Sequence, residues 1–404
     1  MQRTLKVVLF GAGFLARTRA RCWARVHGFS ATGVVAARDR QKAVAFAREH
    51  GLAGGCTIDE ALADPTVDLV DLCVPNRAHR ELAERAFAAG KHVLCTKPLT
   101  AYWGQGLAAD AGAGEVAAVP RPTMLARAVE DAQAMVDAAA RAGRKLFYGE
   151  NWLYAPSIRR AMQLAAASRG VAMEMRGWES HSGSHSPYAK DWRFAGGGAL
   201  LRLGAHPIGA MLAWKRSEGL RLRGTPTRVV AVTAEVADVT AAVRTTGAAC
   251  DVGVDWNGVE NWGTCVLHFD DGSRGVAYGS DTLLGGMQSH LTVLGSAYRF
   301  ECALSPVDSL RAYAVRDGAF GGEYLMEKLH GQAGWSTPMA EEDRESGQLG
   351  LVQGVGEAVV GGGAGGGGGL DGAACGGDGV LGLEVVKVVY AGYVSAVEGR
   401  RVGV

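Results

Sequence analysis

Short apolar segments alternate with amphipathic segments along the first 150 residues. Residues 5–10 (LKVVLF) predict a strand, which a glycine turn joins to a predicted helix at 17–26. The same alternation predicts further strands at 32–37, 69–74, 92–95 and 146–148, and helices at about 41–50, 79–89 and 125–142. Near-continuous apolar strands separated by helices are typical of a parallel sheet covered on both faces, with right-handed crossovers. The pattern therefore predicts a doubly wound α/β domain over residues 1–149.

Two changes of pattern mark the rest of the architecture. Residues 101–123 are rich in Gly, Ala and Pro without a clear period, so we expect an inserted surface loop there. Beyond residue 149 a predicted helix at 156–168 precedes predicted strands at 172–178, 229–236, 264–269, 275–280 and 290–294. Phe-Asp-Asp-Gly at 269–272 is a hairpin signal, because Asp-Gly supplies the positive φ of a tight turn. Residues 150–404 are therefore predicted to form a second, mainly antiparallel domain.

Glycine is concentrated near the carboxyl end. Residues 354–382 contain 15 glycines in 29 positions. Such a run loses too much backbone entropy to hold a regular element. We expect a flexible insertion at about 354–382, followed by a closing valine-rich helix at about 383–398.

Composition and charge narrow the class of protein. The 404 residues include 42 Lys and Arg against 41 Asp and Glu, so a net charge of +1 creates no field that attracts nucleic acid or an anionic membrane. No run of 18 apolar residues occurs, and the first predicted strand begins too near Met1 for a leader to precede it. The eight cysteines include no C-x-x-C pair, which argues against a zinc site or a disulfide framework. We therefore expect a soluble, cytoplasmic protein without a metal.

The turn after the first strand carries a dinucleotide-binding pattern. Gly11-Ala12-Gly13-Phe14-Leu15-Ala16 matches Gly-x-Gly-x-x-Ala between a predicted strand and a predicted helix. Gly11 permits the tight turn, Gly13 leaves room for a pyrophosphate, and Ala16 lets helix and strand pack closely. The helix N-terminus offers amide hydrogens to the phosphates. We assign Gly11, Gly13, Phe14, Leu15 and Ala16 to cofactor binding; the alternative is a tight turn without a ligand.

The end of the second predicted strand bears on which dinucleotide binds. An acidic residue there would bond the ribose 2′-hydroxyl of NAD, but the chain has Ala37 followed by Arg38. An arginine fork suits the oxygens of a 2′-phosphate. This favours NADP as the cofactor, with NAD as the alternative because Asp39 follows.

Several segments together resemble the Gfo/Idh/MocA family of NAD(P)-dependent oxidoreductases. They are LKVVLFGAGFLA, VDLVDLCVPNRAH, KHVLCTKPL, GENWLYAPSIRRA, GGGALLRLGAHPIGAM and VYAGYVSAVEGRRV. The resemblance implies a Rossmann domain followed by an α/β domain with a large open antiparallel sheet, which commonly forms a homo-oligomer interface. It also implies hydride transfer to or from carbon in sugars, cyclitols or related polyols.

The resemblance also implies roles for individual residues. Lys97 of the Lys97-Pro98 pair would contact the reacting hydroxyl or carbonyl and stabilise negative charge, and His206 would transfer the proton. Pro75, Asn76 and His79 match positions that border the nicotinamide half of the cofactor in the family, and we also assign Thr96 and Lys97 to cofactor binding. The alternatives are a solvated surface lysine and a structural histidine.

Two positions depart from the family pattern. Thr96 stands where the family usually has Glu, and Arg202 stands where it usually has an acid four residues before His206. In a continuous helix Arg202 and His206 would share a face, and the guanidinium would keep the imidazole neutral. We hypothesise that Arg202 binds an anionic group of the substrate; the alternative is a pair with a structural acid.

A polar loop at 181–188 is the remaining candidate for substrate binding. Its glycine and proline favour a loop over a helical metal site. Short donors and acceptors such as His185 suit a polyhydroxy substrate, and Tyr154 and Trp192 are candidates for an aromatic face, with core packing as the alternative.

These observations favour an oxidoreductase that transfers a hydride between NADP(H) and a carbinol carbon of a sugar-like substrate, with Lys97 and His206 handling the proton. A cofactor-binding sensor or scaffold without turnover is one alternative. An enzyme that cycles a tightly bound NAD for elimination or glycoside cleavage is the other.

Overall fold

The first part of the chain alternates strands and helices. The computed structural model describes residues 4–184, 186–329, 331–361 and 377–404. Its first strands are β1 (Thr4–Phe10), β2 (Ser30–Ala37), β3 (Gly54–Thr57), β4 (Leu69–Leu72), β5 (His92–Thr96) and β6 (Leu146–Gly149). The helices here are α1 (Phe14–Trp23), α2 (Arg40–Glu49), α3 (Ile58–Ala63), α4 (His79–Ala88), α5 (Ala113–Ala118) and α6 (Arg121–Ala142).

These six strands form one parallel sheet in the order β3-β2-β1-β4-β5-β6. Every residue of β4 is buried, as a strand covered on both faces requires. The strand order reverses at β1, and open α/β sheets bind ligands in the crevice beyond such a switch point. The predicted doubly wound Rossmann sheet is confirmed.

Two local predictions in this region were wrong. β3 was missed, because its sequence, GGCT, has no apolar run. Residues 101–123 are not a surface loop throughout: Ala101 and Tyr102 are buried, and the Tyr102 amide donates to the hydroxyl of Tyr390 at 2.6 Å. The second half of that stretch is α5 and the start of α6, since its alanines favour helix where packing allows it.

The second part of the chain is built around a larger sheet. Its helices are α7 (Pro156–Ala167), α8 (Trp192–Ala195), α9 (Ala199–Arg202), α10 (Ala205–Arg223), α11 (Ala241–Thr246), α12 (Glu342–Glu345), α13 (Gln348–Val360) and α14 (Gly379–Glu398). Its strands are β7 (Ala172–Ser180), β8 (Val229–Ala237), β9 (Trp262–Phe269), β10 (Arg274–Ser280), β11 (Gln288–Gly295), β12 (Arg299–Ser305), β13 (Ala312–Ala314), β14 (Gly334–Ser336) and β15 (Val402–Gly403).

Seven of these strands form a mixed sheet in the order β12-β11-β7-β10-β9-β8-β15. All neighbours are antiparallel except β7 and β10, so the mainly antiparallel second sheet is confirmed with one parallel pair. The strict alternation of burial along β9 shows one covered and one open face. On the covered face, Gly177 lets α10 approach, because a Cβ there would lie 2.6 Å from Pro207.

Part of the predicted glycine-rich insertion is helical instead of flexible. Residues 354–360 belong to α13 and residues 379–382 to α14, while 362–376 lie outside the described residues. The helical glycines serve close packing: a Cβ on Gly356 would lie 2.1 Å from the ring of Phe29, and one on Gly382 would lie 2.9 Å from Leu99. Tertiary contacts therefore outweigh the low helix propensity of glycine here.

The helix α14 connects the two sheets through the core. In the part of the chain that the structure describes, it is the one helix long and apolar enough to cross a membrane, but 72% of that window is buried inside the protein. It packs against α6 and α10 and against β8. A core helix passes the same test of length and hydropathy, so the finding is weak evidence for a membrane span.

Candidate active site

A cavity of about 1000 Å³ lies beyond the carboxyl ends of β1, β4 and β5. One wall belongs to the parallel sheet and α1, a second to the ends of β7, β11 and β12, and a third to the segment 324–348. Among the residues that line it are Phe14, Leu15, Pro75, Asn76, His79, Thr96, Lys97, Glu179, Arg202 and His206. The cavity thus brings part of the predicted cofactor positions together with the proton-transfer positions, whereas Gly11, Gly13, Ala16, Ala37 and Arg38 are not among its lining residues.

The glycine turn between β1 and α1 has the shape of a phosphate cradle. Gly11 has φ +114°, and a Cβ there would lie 2.4 Å from the carbonyl oxygen of Cys73. Gly13 is extended, and a Cβ on it would meet nothing within 4 Å, so its surroundings are open. Ala16 is fully buried against the strand. The open backbone at Gly13 at the start of α1 fits a dinucleotide phosphate, which makes NAD(P) compatible with this turn.

The end of β2 presents Arg38 without a competing acid. The Asp39 carboxylate caps α2, accepting from the amides of Gln41 at 2.9 Å and Lys42 at 3.4 Å. Arg38 is exposed beside the half-buried Ala37. Because the Asp39 carboxylate caps α2, it does not compete with Arg38. The Arg38 guanidinium can therefore bind a substituent on the ribose.

The positions predicted to border the nicotinamide differ in what they do. The Asn76 side-chain amide donates to the carbonyl of Ala195 at 2.8 Å, while its Oδ1 has no partner among the described residues. His79 is buried, with Nδ1 3.1 Å from the carbonyl oxygen of Leu99 and Nε2 3.0 Å from that of Val74. The His79 ring therefore links the loops after β4 and β5 and also lines the cavity, and its assignment to cofactor binding stays a prediction. Pro75 and Thr96 border the cavity at the ends of the same strands.

Lys97 lines the cavity directly after β5. Its ammonium group donates to the backbone carbonyl of Arg202, which joins the end of β5 to α9. Burial lowers the pKa of Lys97, and the carboxylates of Glu179 and Glu150 oppose that shift. A lysine with these surroundings can act as a hydrogen-bond donor to a substrate oxygen.

His206 lies in the first turn of α10 between two carboxylates. Its Nδ1 is 2.7 Å from Oε1 of Glu150, and its Nε2 is 3.7 Å from Oε1 of Glu179. Burial lowers the pKa of His206 to about 3, against the favourable charge of Glu179. The imidazole is neutral at pH 7 and can accept or release a proton through one nitrogen at a time.

The predicted helical neighbourhood of Arg202 and His206 was wrong. α9 ends at Arg202 and α10 begins at Ala205, so the two residues are on separate helices. The Arg202 guanidinium pairs with the buried carboxylate of Asp281. Arg202 therefore pairs with a structural acid, which was the alternative to binding an anionic group of the substrate. The neutral state of His206 follows from its burial.

The two aromatic candidates for a substrate face were also wrong. Trp192 is 1% exposed, with the guanidinium of Arg121 4.3 Å from its ring centroid. Tyr154 packs against both hydrophobic clusters beneath α13, where Gly354 leaves room for its ring. Trp192 is a core residue and Tyr154 is half-buried against the core, and neither ring is among those that line the cavity. His185 lies outside the described residues.

The residues that complete the site come from elements distant in sequence. Glu150 follows β6, and Glu179 ends β7. The Trp152 indole is parallel to the His206 ring within 8°, and its Nε1 donates to Glu179 at 3.1 Å. Glu150 and Trp152 stand inside the segment GENWLYAPSIRRA, so that segment was the available signal; no local pattern marked Glu179 or Asp281.

No group of three or more His, Cys, Asp or Glu among the described residues could hold a metal ion. Within that range, the site offers donors for a dinucleotide and a polar substrate.

Comparisons with known proteins identify the family of both domains. Residues 5–115 match the family model described as "Oxidoreductase family, NAD-binding Rossmann fold", and residues 167–301 match the "GFO/IDH/MocA C-terminal domain". These two matches contain the glycine turn, Lys97 and His206.

Two of the similar proteins are named as oxidoreductases of sugars. The chain is 32% identical over 200 residues to a 1,5-anhydro-D-fructose reductase of Ensifer adhaerens, covering 47% of this chain and 52% of that protein. It is 29% identical over 217 residues to a D-xylose 1-dehydrogenase (NADP(+)) of Haloferax volcanii, covering 53% and 56%. The chain thus spans about half the length of the curated relatives it matches.

A solved structure covers the whole chain. The crystal structure of GenD2 from gentamicin A biosynthesis in complex with NAD superposes with a TM-score of 0.76 and 26% identity, over 100% of this chain and 97% of that one. Its agreement extends the similarity beyond the two matched domains. The chain belongs to the Gfo/Idh/MocA family of oxidoreductases.

Proposed function

We propose that this protein is an NAD(P)-dependent oxidoreductase that transfers a hydride to or from a carbinol carbon of a sugar, cyclitol or related polyol. The observation that carries the proposal is the placement of Lys97 and His206 in one cavity with Phe14 and Leu15, the first residues of α1 after the open glycine turn. The names of the similar reductase and dehydrogenase support sugars as the substrate class.

The chain's own residues would manage the proton and the substrate oxygen. The bound nicotinamide would supply hydride acceptance or donation. Lys97 would donate to the reacting oxygen and stabilise negative charge on it, in addition to its bond to the Arg202 carbonyl. His206 would take the hydroxyl proton in oxidation and return it in reduction, which suits a neutral imidazole.

We propose a neutral polyol in preference to an anionic one. The pair with Asp281 already neutralises Arg202, the cation proposed to bind an anionic group. The polar groups at the cavity wall include Asn151, Ser184 and Ser289, which suit hydroxyl groups. Asn151 donates to the carbonyl of Ser346 at 2.7 Å, so the segment 324–348 also positions this wall.

We propose NADP as the preferred cofactor on the basis of Arg38. The guanidinium is exposed at the end of β2, and Asp39 is occupied as the cap of α2. The NADP in the name of the xylose dehydrogenase is consistent with this choice, whereas the GenD2 structure contains NAD. Direct comparison of the Michaelis constants for the two coenzymes decides between them.

We further propose that copies of the chain associate through the open face of the second sheet. That face carries exposed apolar side chains, including Met173 and Val230. Its stacked pair of Trp178 and His290, 4.6 Å between ring centroids, also lies on this face. Light scattering of the purified protein would measure the assembly.

Absorbance at the reduced-nicotinamide band tests the proposed reaction. The purified protein is mixed with NADP or NAD and a panel of neutral and acidic sugars and cyclitols. Net reduction of the cofactor supports the dehydrogenase. Product without net change supports an enzyme that cycles a bound cofactor, and binding without product supports a sensor; either result would overturn the proposal.

A matched pair of variants connects the signal to the site. Lys97→Met removes the donor to the reacting oxygen and should abolish turnover while cofactor binding, followed by nicotinamide fluorescence, persists. Lys387→Met changes a lysine on α14 outside the cavity and serves as the control.

A further inference from the structure

His206 has a carboxylate partner from outside its own helix. The position four residues earlier is Arg202, which is paired with Asp281. The partner is Glu150, which follows β6 and places Oε1 2.7 Å from Nδ1 of His206. The same Oε1 accepts from the amide of Trp152 at 3.2 Å, which holds the carboxylate in place.

The pair of Glu150 and His206 is shielded from water. Glu150 is 0% exposed and His206 5% exposed. Helix α10 presses on the carboxylate from the other side, because a Cβ on Gly209 would lie 3.1 Å from Cγ of Glu150. The second oxygen of Glu150, Oε2, has no hydrogen-bond partner among the described residues. A proton on Glu150 can therefore pass directly to His206, but it cannot pass directly to solvent.

The other nitrogen of the imidazole faces the cavity. Nε2 lies 3.7 Å from Oε1 of Glu179, beyond hydrogen-bond distance. Glu179 is itself held through Oε2, which accepts from Trp152 Nε1 at 3.1 Å and from Ser289 Oγ at 3.3 Å. Nε2 is thus the end of the ring at which a substrate hydroxyl can bind, while Nδ1 is bound to Glu150.

We propose that Glu150 is the final proton acceptor in the oxidation. His206 relays the proton to it, and Glu150 thereby takes the place of the acid missing at position 202. This inference rests on the proposed function. In oxidation the C–H bond breaks and its hydride reduces the nicotinamide; the hydroxyl proton passes to Nε2, and the proton on Nδ1 passes to the Glu150 carboxylate. The products are a carbonyl compound, reduced cofactor and a protonated Glu150, and reduction reverses each transfer.

The charges around Glu150 set the direction of the pH dependence. Burial raises the pKa of Glu150 to about 8, and the nearby ammonium of Lys97 opposes this shift. The other titratable groups that face the pair are Tyr148, on β6, and Glu179, on the far side of His206. Oxidation needs an ionised Glu150, so its rate should rise with pH through about 8, and reduction, which needs the protonated form, should fall.

Kinetics of three variants test the proposal. Glu150→Gln keeps the shape of the side chain but cannot accept a proton; it should lower kcat by about 10- to 100-fold with little change in the KM of the cofactor, and remove the pH step. Glu150→Asp should retain the step at a lower kcat. Glu174→Gln changes a half-buried carboxylate on β7 that does not line the cavity, and it should match the parent protein. A Glu150→Gln enzyme with the parent kcat and pH step would overturn the proposal.

A second measurement does not depend on turnover. Nitrogen NMR of 15N-histidine-labelled protein, with His206 assigned by its loss in His206→Asn, reports which ring nitrogen carries the proton. In the parent the proton should be on Nε2 below pH 8 and move to Nδ1 above it, while Glu150→Gln should show no such change. A tautomer that is independent of pH in the parent refutes the relay even if the protein oxidises polyols, and a tautomer switch without turnover refutes only the proposed function.

Discussion

The buried pair of Arg202 and Asp281 gives the sharpest prediction about stability. Asp281 is 0% exposed, and the Arg202 side chain is 13% exposed. Arg202→Met leaves the carboxylate buried without its partner, and Asp281→Asn does the same to the guanidinium. Breaking a buried ion pair in this way costs about 3 to 5 kcal/mol. Each kcal/mol of lost unfolding free energy lowers the Tm of a domain of this size by about 2 to 4 °C, so Tm should fall by about 6 to 20 °C.

The double variant separates the pair from its surroundings. With both charges removed, no unpaired charge is left, so Arg202→Met combined with Asp281→Asn should recover at least half of the loss. Burial raises the pKa of Asp281, so in Arg202→Met the carboxylate takes up a proton on acidification. The deficit of that single variant should therefore shrink as the pH falls from 7 to 5.

Thermal unfolding followed by circular dichroism measures these differences. Arg299→Met, which breaks the exposed pair with Glu301, is the control and should cost about 0 to 1 kcal/mol. If Arg202→Met destabilises no more than the control, Asp281 does not depend on Arg202. That result would support the hypothesis that the Arg202 guanidinium is free to bind an anionic substrate.

Three further predictions concern Arg38, the glycine turn and His181. Arg38→Ala should raise the KM for NADP by about tenfold or more, from the loss of a charged hydrogen bond, and leave that for NAD unchanged in steady-state assays. Gly13→Ala should keep the Tm of the apoprotein and weaken cofactor binding, whereas Gly11→Ala, whose Cβ would clash with the Cys73 carbonyl, should lower Tm; equal Tm values would contradict the cradle. The pKa of His181 is lowered to about 2 by burial, below its unfolded value, so stability is lost as pH falls below about 6.5; between pH 7 and 5 the parent should lose about 2 kcal/mol more than His181→Asn in urea unfolding.

The cofactor half of the site could be predicted because its signals are local. Gly11 and Gly13 act through the turn that contains them, and Lys97 follows a strand whose apolar run is continuous. Position along the chain is enough to place such residues at one edge of a parallel sheet.

The proton-transfer half depends on contacts that no local pattern encodes. Glu150 meets His206 across 56 positions of sequence, and Arg202 meets Asp281 across 79. Helical periodicity also failed for Arg202 and His206, because the chain breaks between α9 and α10. Gly204 lies at this break, where a Cβ would lie 2.6 Å from the carbonyl oxygen of Leu200. Trp192 and Tyr154 were predicted to face the substrate, but Trp192 packs against Arg121 and Tyr393, and Tyr154 lies beneath α13.

Glycine content was a poor guide to flexibility in the second part of the chain. Composition suggested flexibility at residues 354–360, but Gly354 and Gly356 lie against the rings of Tyr154 and Phe29 inside a helix. The same residue type gives freedom to a solvated chain and close approach to a packed one. Only the neighbouring aromatic rings distinguish the two uses.

The first sheet owes part of its cover to residues at the far end of the chain. α13 contributes Leu351, Val355 and Val359 to the cluster that contains β1, and α14 packs on α6. During synthesis the amino-terminal half leaves the ribosome before these helices, so its apolar flank stays exposed until α13 and α14 have been translated. A product that ends before α13 would keep this apolar flank exposed, and exposed apolar segments are what chaperones and proteases act on.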